Sequence, residues 1–340
     1  MRFYGRSPVR ISLCNGGDTD YYIKEMGWTN LINATLQSGF YACLAERKNQ
    51  NFIDFSYKNG FSKTGNFRRI YDLNSEEKDI KIVTETIKEI NPNFKGEIKM
   101  YTNVPEKSGL GGSSSLVVSL IKALIKTINV KNITPEKIAW TAYKIERINL
   151  GIRGGYQDQW AAAFSGGVNY LEFRNKKVFI EPLWLSESLM KKLEDNLILF
   201  FIEPRKGDSG NIHAKLEARM KQKGKKEDID MMLKRRENVL KTREALLNGE
   251  IKKFAELLNE EQKNKEMIMK NLMTPKTKKI YDEAIANGAI AGKISGAGSG
   301  GCAFFIYDKR DKGKFIKKMS ELGCINLSLK IQRLNTMGEI

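Results

Sequence analysis

Residues 105–120 read PEKSGLGGSSSLVVSL, a Gly-Gly pair and three consecutive serines set directly against an apolar run. Small residues at the mouth of a helix let backbone amides approach a ligand. The helix start adds about half a unit of positive charge, so the pattern suits phosphate. The strand-like IKMYTNV just before it and the apolar helix just after give the order that a phosphate cradle requires, although a serine-capped loop would read the same way. No segment fits G-x-x-x-x-G-K-[ST]; the nearest approach, Gly288 to Gly292-Lys293, is one residue short and is followed by Ile294. Any phosphate bound here therefore needs another class of loop. A second glycine stretch, KISGAGSGGCAFF at 293–305, also bends ahead of an apolar strand.

Two carboxylates stand out in IERINLGIRGGYQDQWAAAF at 145–164. Glu146 sits at the end of one helical pattern, and Asp158 lies in a glycine-rich segment before another, so the two could converge from different elements; capping or solvation is the ordinary alternative. In SPVRISLCNGGDTDYY, Arg10 falls on a strand and Asp20 just past a Gly-Gly turn, where an Asp commonly bonds its own backbone. The single histidine, His213, excludes a multi-histidine metal centre, and a histidine-based triad would have to hang on that residue alone. Cys14, Cys43, Cys302 and Cys324 show no C-x-x-C pairing and read as reduced small residues.

These residues need a scaffold, and 340 residues at 41% hydrophobic content can build two cores. The first hundred residues alternate β-rich runs (RISLC, NFIDFSYK, GEIKMYTNV) with turn signals, and a helical pattern runs from Ser75 through SEEKDIKIVTETIKEI. Helices are expected over 114–128 and 135–150, the second opened by Thr134 and Pro135. SGGVNYLEF reads as a strand, and from about 186 onward helices are expected to dominate. There Met232, Leu233, Val239, Leu240, Leu246 and Leu247 recur every seven residues, and Phe254, Leu257 and Leu258 continue beyond the Asn-Gly turn at 248–249. The tail returns to mixed α/β with GCAFFIYD, a helix near 311–322 and INLSLKIQRL. The expected organisation is two domains, 1–185 and 186–340. The net charge of +18 admits a nucleic-acid, membrane-surface or anionic small-molecule partner. Half of that excess lies in residues 205–279, with 21 Lys/Arg against 12 Asp/Glu, on a helical pattern that reads as a solvated face. No apolar run is long enough for a membrane span and the start lacks a secretory signal pattern, so a cytoplasmic location is the expectation.

Taken together, SPVRISLCNGGDTDYY, PEKSGLGGSSS and KISGAGSGGCAFF resemble the three sequence motifs of the GHMP kinases, the family of galactokinase, homoserine kinase, mevalonate kinase and phosphomevalonate kinase. The likeness runs from about residue 7 to 305. Within the family, GGDTDYY, NATL, IERINLGIRGGYQDQWAAAFSGGVNYLEF and GAIAGKISGAGSGG look most like the branch containing D-glycero-D-manno-heptose 7-phosphate kinase. Asp18 stands where that branch usually carries a third glycine, and Gly207 where it tends to carry an Arg before Ser209 and Ile212.

The resemblance implies an α+β, two-domain architecture. A ribosomal-protein-like N-terminal α/β domain and a helix-rich, ferredoxin-like C-terminal α/β domain would have the active site between them. It further implies an ATP- and Mg²⁺-dependent phosphotransferase in carbohydrate metabolism, acting on a sugar hydroxyl. The favoured acceptor is the anomeric O1 of a heptose 7-phosphate, with galactose, fucose or mannose as alternatives. Gly109, Leu110, Gly111, Gly112, Ser113 and Ser114 would hold the ATP phosphates, with Ser113 and Glu146 on Mg²⁺. Asp158 would act as general base, with Arg10 offsetting charge on the transferred group. Gly17, Thr19, Asp20, Gln157, Gly296, Ala297 and Gly298 would surround the sugar. The implied partner is a small-molecule sugar or sugar phosphate. An RNA-binding reading, prompted by the charge, lacks an interleaved aromatic signature in the sequence.

Overall fold

The structure is a computed structural model that describes residues 1–16, 19–47, 51–61, 66–75, 77, 80–164, 166–175, 177–207, 218, 225–269 and 272–333. Gly17, Asp18, Ser209, Ile212 and His213 lie outside the described residues.

A seven-stranded sheet is built around β2 (Trp28–Glu46), which pairs antiparallel with β1 (Arg2–Cys14) on one edge. Its other edge is shared end to end by β5 (Gly96–Thr102) and β6 (Val168–Arg174). β3 (Ile53–Asn59) joins β5 in parallel, β4 (Phe67–Tyr71) lies outside β3, and β7 (Lys177–Pro182) lies outside β6. Between β5 and β6 the edge of β2 is filled from the far end of the chain. Gln37 N donates to Lys330 O at 2.8 Å, Gln332 N to Thr35 O at 2.9 Å, and Gly167 N to Gln332 O at 2.8 Å.

Four helices belong to this sheet: α2 (Lys81–Ile90), α3 (Gly112–Thr127), α4 (Pro135–Tyr143) and α5 (Gln157–Phe164); α1 (Thr19–Met26) follows β1. They bury Leu31, Val117, Ile121, Ile138, Trp160 and Phe173 in one cluster. Thr134 caps α4 by accepting from Lys137 N at 3.2 Å, with Pro135 at the first position. The helix expected from Ser75 begins only at Lys81, without a side-chain cap. The helix expected over 135–150 gives way after Tyr143 to a π-helical turn, Lys144–Asn149, a local widening that is often found at functional sites.

The second layer is a four-stranded antiparallel sheet in the order β11-β8-β10-β9, formed by β8 (Leu197–Glu203), β9 (Ala291–Ile294), β10 (Gly301–Ile306) and β11 (Ile325–Leu327). It carries α6 (Glu187–Asn196), α9 (Pro275–Ala286) and α10 (Lys312–Glu321), together with the hairpin of α7 (Lys225–Leu247) and α8 (Ile251–Ile268). Helices do dominate after 186 among the described residues, and the strand that sequence patterning left unmarked there is LILFFIE, an apolar run buried from Leu197 through Ile202 and closed by Glu203. The hairpin turns at Asn248-Gly249, with Gly249 at φ 67°. Apolar packing does not stop between the sheets. Val9, Ile11 and Phe55 share one contiguous cluster with Leu183, Leu193, Leu199 and Phe254. No helix among the described residues is long and apolar enough to cross a membrane.

Candidate active site

Pro8 cannot donate to the sheet ladder, and the β1–β2 register shifts between Pro8 and Arg10. Past the shift Arg10 is in register with Thr35, and on the side of β1 away from β2 Arg10 N donates to Leu110 O at 3.0 Å while the Arg10 Nη1 donates to Gly109 O at 2.8 Å. Ser108 O accepts from Cys302 N at 2.8 Å, and Lys107 O accepts from Arg205 N at 3.1 Å. The glycine turn is thus pinned through its carbonyls. Its N–H groups are not consumed: among the described residues, none accepts from the amides of residues 109–114. Gly109 and Gly111 take left-handed φ values of 78° and 80°, and α3 starts without a side-chain cap. The uncapped start of this 16-residue helix, with its amides free of protein acceptors among the described residues, has the chemistry to hold an anion.

Gly109, Gly111, Gly112 and Ser113 line a cleft of about 300 Å³ between the two sheets; Leu110 and Ser114 are buried beneath it. Asp158, in the first turn of α5, closes the turn's far side. A Cβ added to Gly111 would stand 3.3 Å from the Asp158 Cγ and 3.6 Å from the Arg10 Cζ. Arg10 holds Asp158 through Nε at 2.8 Å and Nη2 at 2.5 Å, both on Oδ1.

Glu146 projects from the π-helical turn and is wholly buried. Its carboxylate accepts from Ser113 Oγ at 2.7 Å, Ser114 Oγ at 2.6 Å and Gln159 Nε2 at 2.5 Å. No cation pairs with it among the described residues. A buried carboxylate with hydroxyls at its lip is an all-oxygen donor set that fits a hard divalent cation shared with phosphate oxygens.

Gln157 lines the cleft and donates to Ser12 Oγ at 2.5 Å. Gly296 and Ala297 line it from the β9–β10 loop, and this loop meets the glycine turn backbone to backbone: a Cβ on Gly296 would lie 2.8 Å from Gly109 O. Gly298 faces Leu272 instead, where its Cβ would clash with the Leu272 carbonyl. Thr19 and Asp20 are not among the cleft-lining residues. Thr19 is buried and its Oγ1 accepts from Tyr156 N at 2.7 Å, while the Asp20 Oδ2 accepts from Tyr143 OH at 3.0 Å in the first turn of α1.

A buried ionic group under the cleft was not foreseen. Arg235 of α7 donates to both oxygens of Glu261 of α8, at 3.1 and 2.7 Å, and reaches Tyr22 OH and Gly16 O. Lys293 donates to Ser12 O at 2.8 Å and Asn15 O at 3.1 Å, and Lys265 donates to Ile294 O at 2.9 Å and Gly296 O at 2.7 Å. Burial pushes Lys293 down to about 8 against the pull of Glu261, and holds Lys265 well below the usual lysine range with help from Lys293 and Arg235. Burial works against ionisation of Glu261, but Arg235 outweighs it and leaves the carboxyl below its ordinary value.

Residues 79–166 match the GHMP kinases N terminal domain, and residues 242–323 match the GHMP kinases C terminal domain. The chain belongs to the GHMP kinase family. This GHMP kinase is 31% identical over 330 residues to D-glycero-alpha-D-manno-heptose 7-phosphate kinase of Campylobacter jejuni, covering 92% of each chain. It superposes on the crystal structure of a D-glycero-D-manno-heptose 1-phosphate kinase from Bacteroides thetaiotaomicron with a TM-score of 0.75 at 26% identity, covering 97% and 96% of the two chains. The fold extends to Lactococcus lactis galactokinase, with a TM-score of 0.75 at 19% identity over 98% and 94% of the chains. The two-domain GHMP architecture is thereby established, and the protein is a phosphotransferase of the sugar-kinase type.

Proposed function

We propose that this GHMP kinase transfers the γ-phosphoryl group of ATP to the anomeric hydroxyl of D-glycero-D-manno-heptose 7-phosphate, giving the 1,7-bisphosphate. The observation that carries this reading is the glycine turn, whose unengaged amides end against an arginine-held Asp158. Phosphoryl transfer asks for positioning and charge neutralisation more than for covalent chemistry, and both are served here.

In this reading, the amides of residues 109–114 bind the β- and γ-phosphates, and Gly296 and Ala297 cover them from the opposite loop. Ser113 and Glu146 would hold Mg²⁺, which supplies positive charge against the phosphate oxygens when bound. Asp158 accepts the proton of the acceptor hydroxyl as that oxygen bonds the γ-phosphorus, and the bond from the γ-phosphorus to the bridging oxygen breaks to release ADP. Arg10 fixes the Asp158 rotamer and faces the charge gathered on the transferred group. Gln157 orients the sugar. Thr19 and Asp20 support the site from behind by tying down the turn at Tyr156 and the Tyr143 ring.

The test is ADP release by the purified chain with a panel of sugars. Turnover with heptose 7-phosphate and a product phosphorylated on O1 supports the reading. Turnover confined to galactose, fucose or mannose would reassign the enzyme to another sugar kinase.

A further inference from the structure

We propose that Arg147 holds the phosphate that the acceptor already bears, on the cleft wall beside Gly154 and Gly155. The inference rests on the sugar-phosphate kinase reading above and assigns the residue that distinguishes a phosphorylated sugar from a free one.

Charge gives the first reason. Seven lysines and arginines line the cleft against two carboxylates, Glu106 and Asp158. A magnesium-bound nucleoside triphosphate brings only about two net negative charges, which leaves cationic surplus for a second anion. The engagements of these cations differ. Arg10 is committed to Asp158, and Lys265 and Lys293 are embedded among carbonyls beside Glu261. Lys107 belongs to the loop that opens the glycine turn, and Arg205 is placed beside that loop by the backbone bond from Arg205 N to Lys107 O. Arg147 is different. Its guanidinium meets only backbone carbonyls among the described residues, Gly155 O at 3.3 Å from Nε and Nη2 and Ile152 O at 3.4 Å from Nη1. Those are long contacts, enough to fix the fork without discharging it, and they leave further N–H donors for a ligand.

Position gives the second reason. Gly154, Gly155, Gln157 and Asp158 line the cleft in chain order, and Gly154 packs so closely that an added Cβ would stand 3.0 Å from the Arg147 Nη2. Gly155 stands three residues ahead of Asp158, just before α5 opens at Gln157, so Asp158 and the Gly155 carbonyl that Arg147 touches belong to one stretch of the cleft wall. An acceptor with its reacting hydroxyl at Asp158 and its body along this stretch would bring its far end toward Arg147. Arg153, on the same loop and also lining the cleft, adds positive field there. The planar fork suits two oxygens of a phosphate monoester in a way a lysine cannot reproduce. Because Arg147 follows Glu146 in the same π-helical turn, one irregular turn would hold both the cation's carboxylate and the substrate's anchor.

The experiment compares the wild type with Arg147→Met and Arg147→Lys, using heptose 7-phosphate, the same heptose without phosphate, and a hexuronic acid as acceptors. Binding of inorganic phosphate is measured separately by calorimetry in the absence of nucleotide, and thermal unfolding checks the fold. In R147M the ratio of kcat/KM for phosphorylated over free heptose should fall by about a hundredfold, mostly through KM, with partial recovery in R147K. Calorimetric phosphate affinity should fall in parallel. Equal losses on both heptoses, or phosphate binding indifferent to R147M, would overturn the assignment. So would an Arg147-dependent preference for the uronic acid over the phosphate. If no sugar is turned over by the wild type while phosphate binding still depends on Arg147, the kinase reading fails and the anion site stands.

Discussion

Arg10 and Asp158 meet across 148 residues of chain in an asymmetric clamp: two guanidinium N–H groups converge on Oδ1, while Oδ2 would lie only 3.4 Å from a Cβ built on Gly111. One carboxylate oxygen is thus committed to the protein and the other faces the turn where the phosphate chain is proposed to lie. In Asp158→Asn, kcat should drop by about 10²- to 10⁴-fold. Affinity for a non-hydrolysable ATP analogue, read by calorimetry, should hold within about threefold, because the amides that would bind it are untouched. Near wild-type turnover in this variant would remove Asp158 from the chemistry.

Glu146→Gln keeps the size of a buried side chain while removing its charge, and the one acceptor it turns into a donor can face the Ser113 hydroxyl, which can accept as well as donate. The Mg²⁺ concentration that gives half-maximal activity should rise at least about tenfold, with little change in thermal unfolding. A Mg²⁺ titration superimposable on that of the wild type would show that the metal is held elsewhere.

Two glycines of similar φ separate backbone strain from crowding. Gly27 has φ 77° with nothing within 4 Å of an added Cβ, whereas Gly296 has φ 63° and the Gly109 carbonyl at 2.8 Å. Gly27→Ala should cost about 1–2 kcal/mol of stability and leave kcat unchanged. Gly296→Ala should cost more and also depress kcat, since relief of the clash pushes the two glycine loops apart. Equal melting temperatures and equal rates for the two variants would contradict this.

Stability should carry a signature of Lys293. Its value of about 8 in the folded protein lies below the ordinary 10.5, so above pH 8 the unfolded chain binds more protons than the folded one and stability climbs with pH. Lys122, also pushed to about 8 by burial, acts in the same direction; Cys14, pushed up to about 12 from 9.0, opposes it at higher pH. The useful window is therefore pH 8 to 9. The unfolding free energy of the wild type minus that of Lys293→Met, from urea titrations, should widen across this window, by at most about 1.4 kcal/mol per pH unit. A constant difference would mean that Lys293 titrates alike in both states.

The glycine turn was readable because backbone demands leave marks on residue type: Gly111 is needed at a left-handed position and α3 begins within two residues of its expected start. The turn at Asn248-Gly249 was readable for the same reason. Strand β2 was not, because it is buried over most of its length and shows neither alternation nor early punctuation. The ionic group beneath the cleft left a trace that composition hides. On α8 the buried face runs through Phe254, Leu258, Glu261, Lys265 and Ile268, and on α7 through Met232, Arg235, Val239 and Leu246. Charged residues in register with an apolar stripe are the sign, but only the fold reveals that Arg235 and Glu261 face each other. Likewise, nothing near Asp20 in the chain announces Tyr143, 123 residues away.

Ile331 is completely buried in the first sheet, between neighbours on β2 that are translated roughly three hundred residues earlier. As the polypeptide leaves the ribosome, that sheet must wait with an open, wettable notch until nearly all of the chain has been made. The half synthesised first is thus the half finished last. A cut just before Lys330 would damage the region most remote from it in translation order, although the helical hairpin and the second sheet would be untouched.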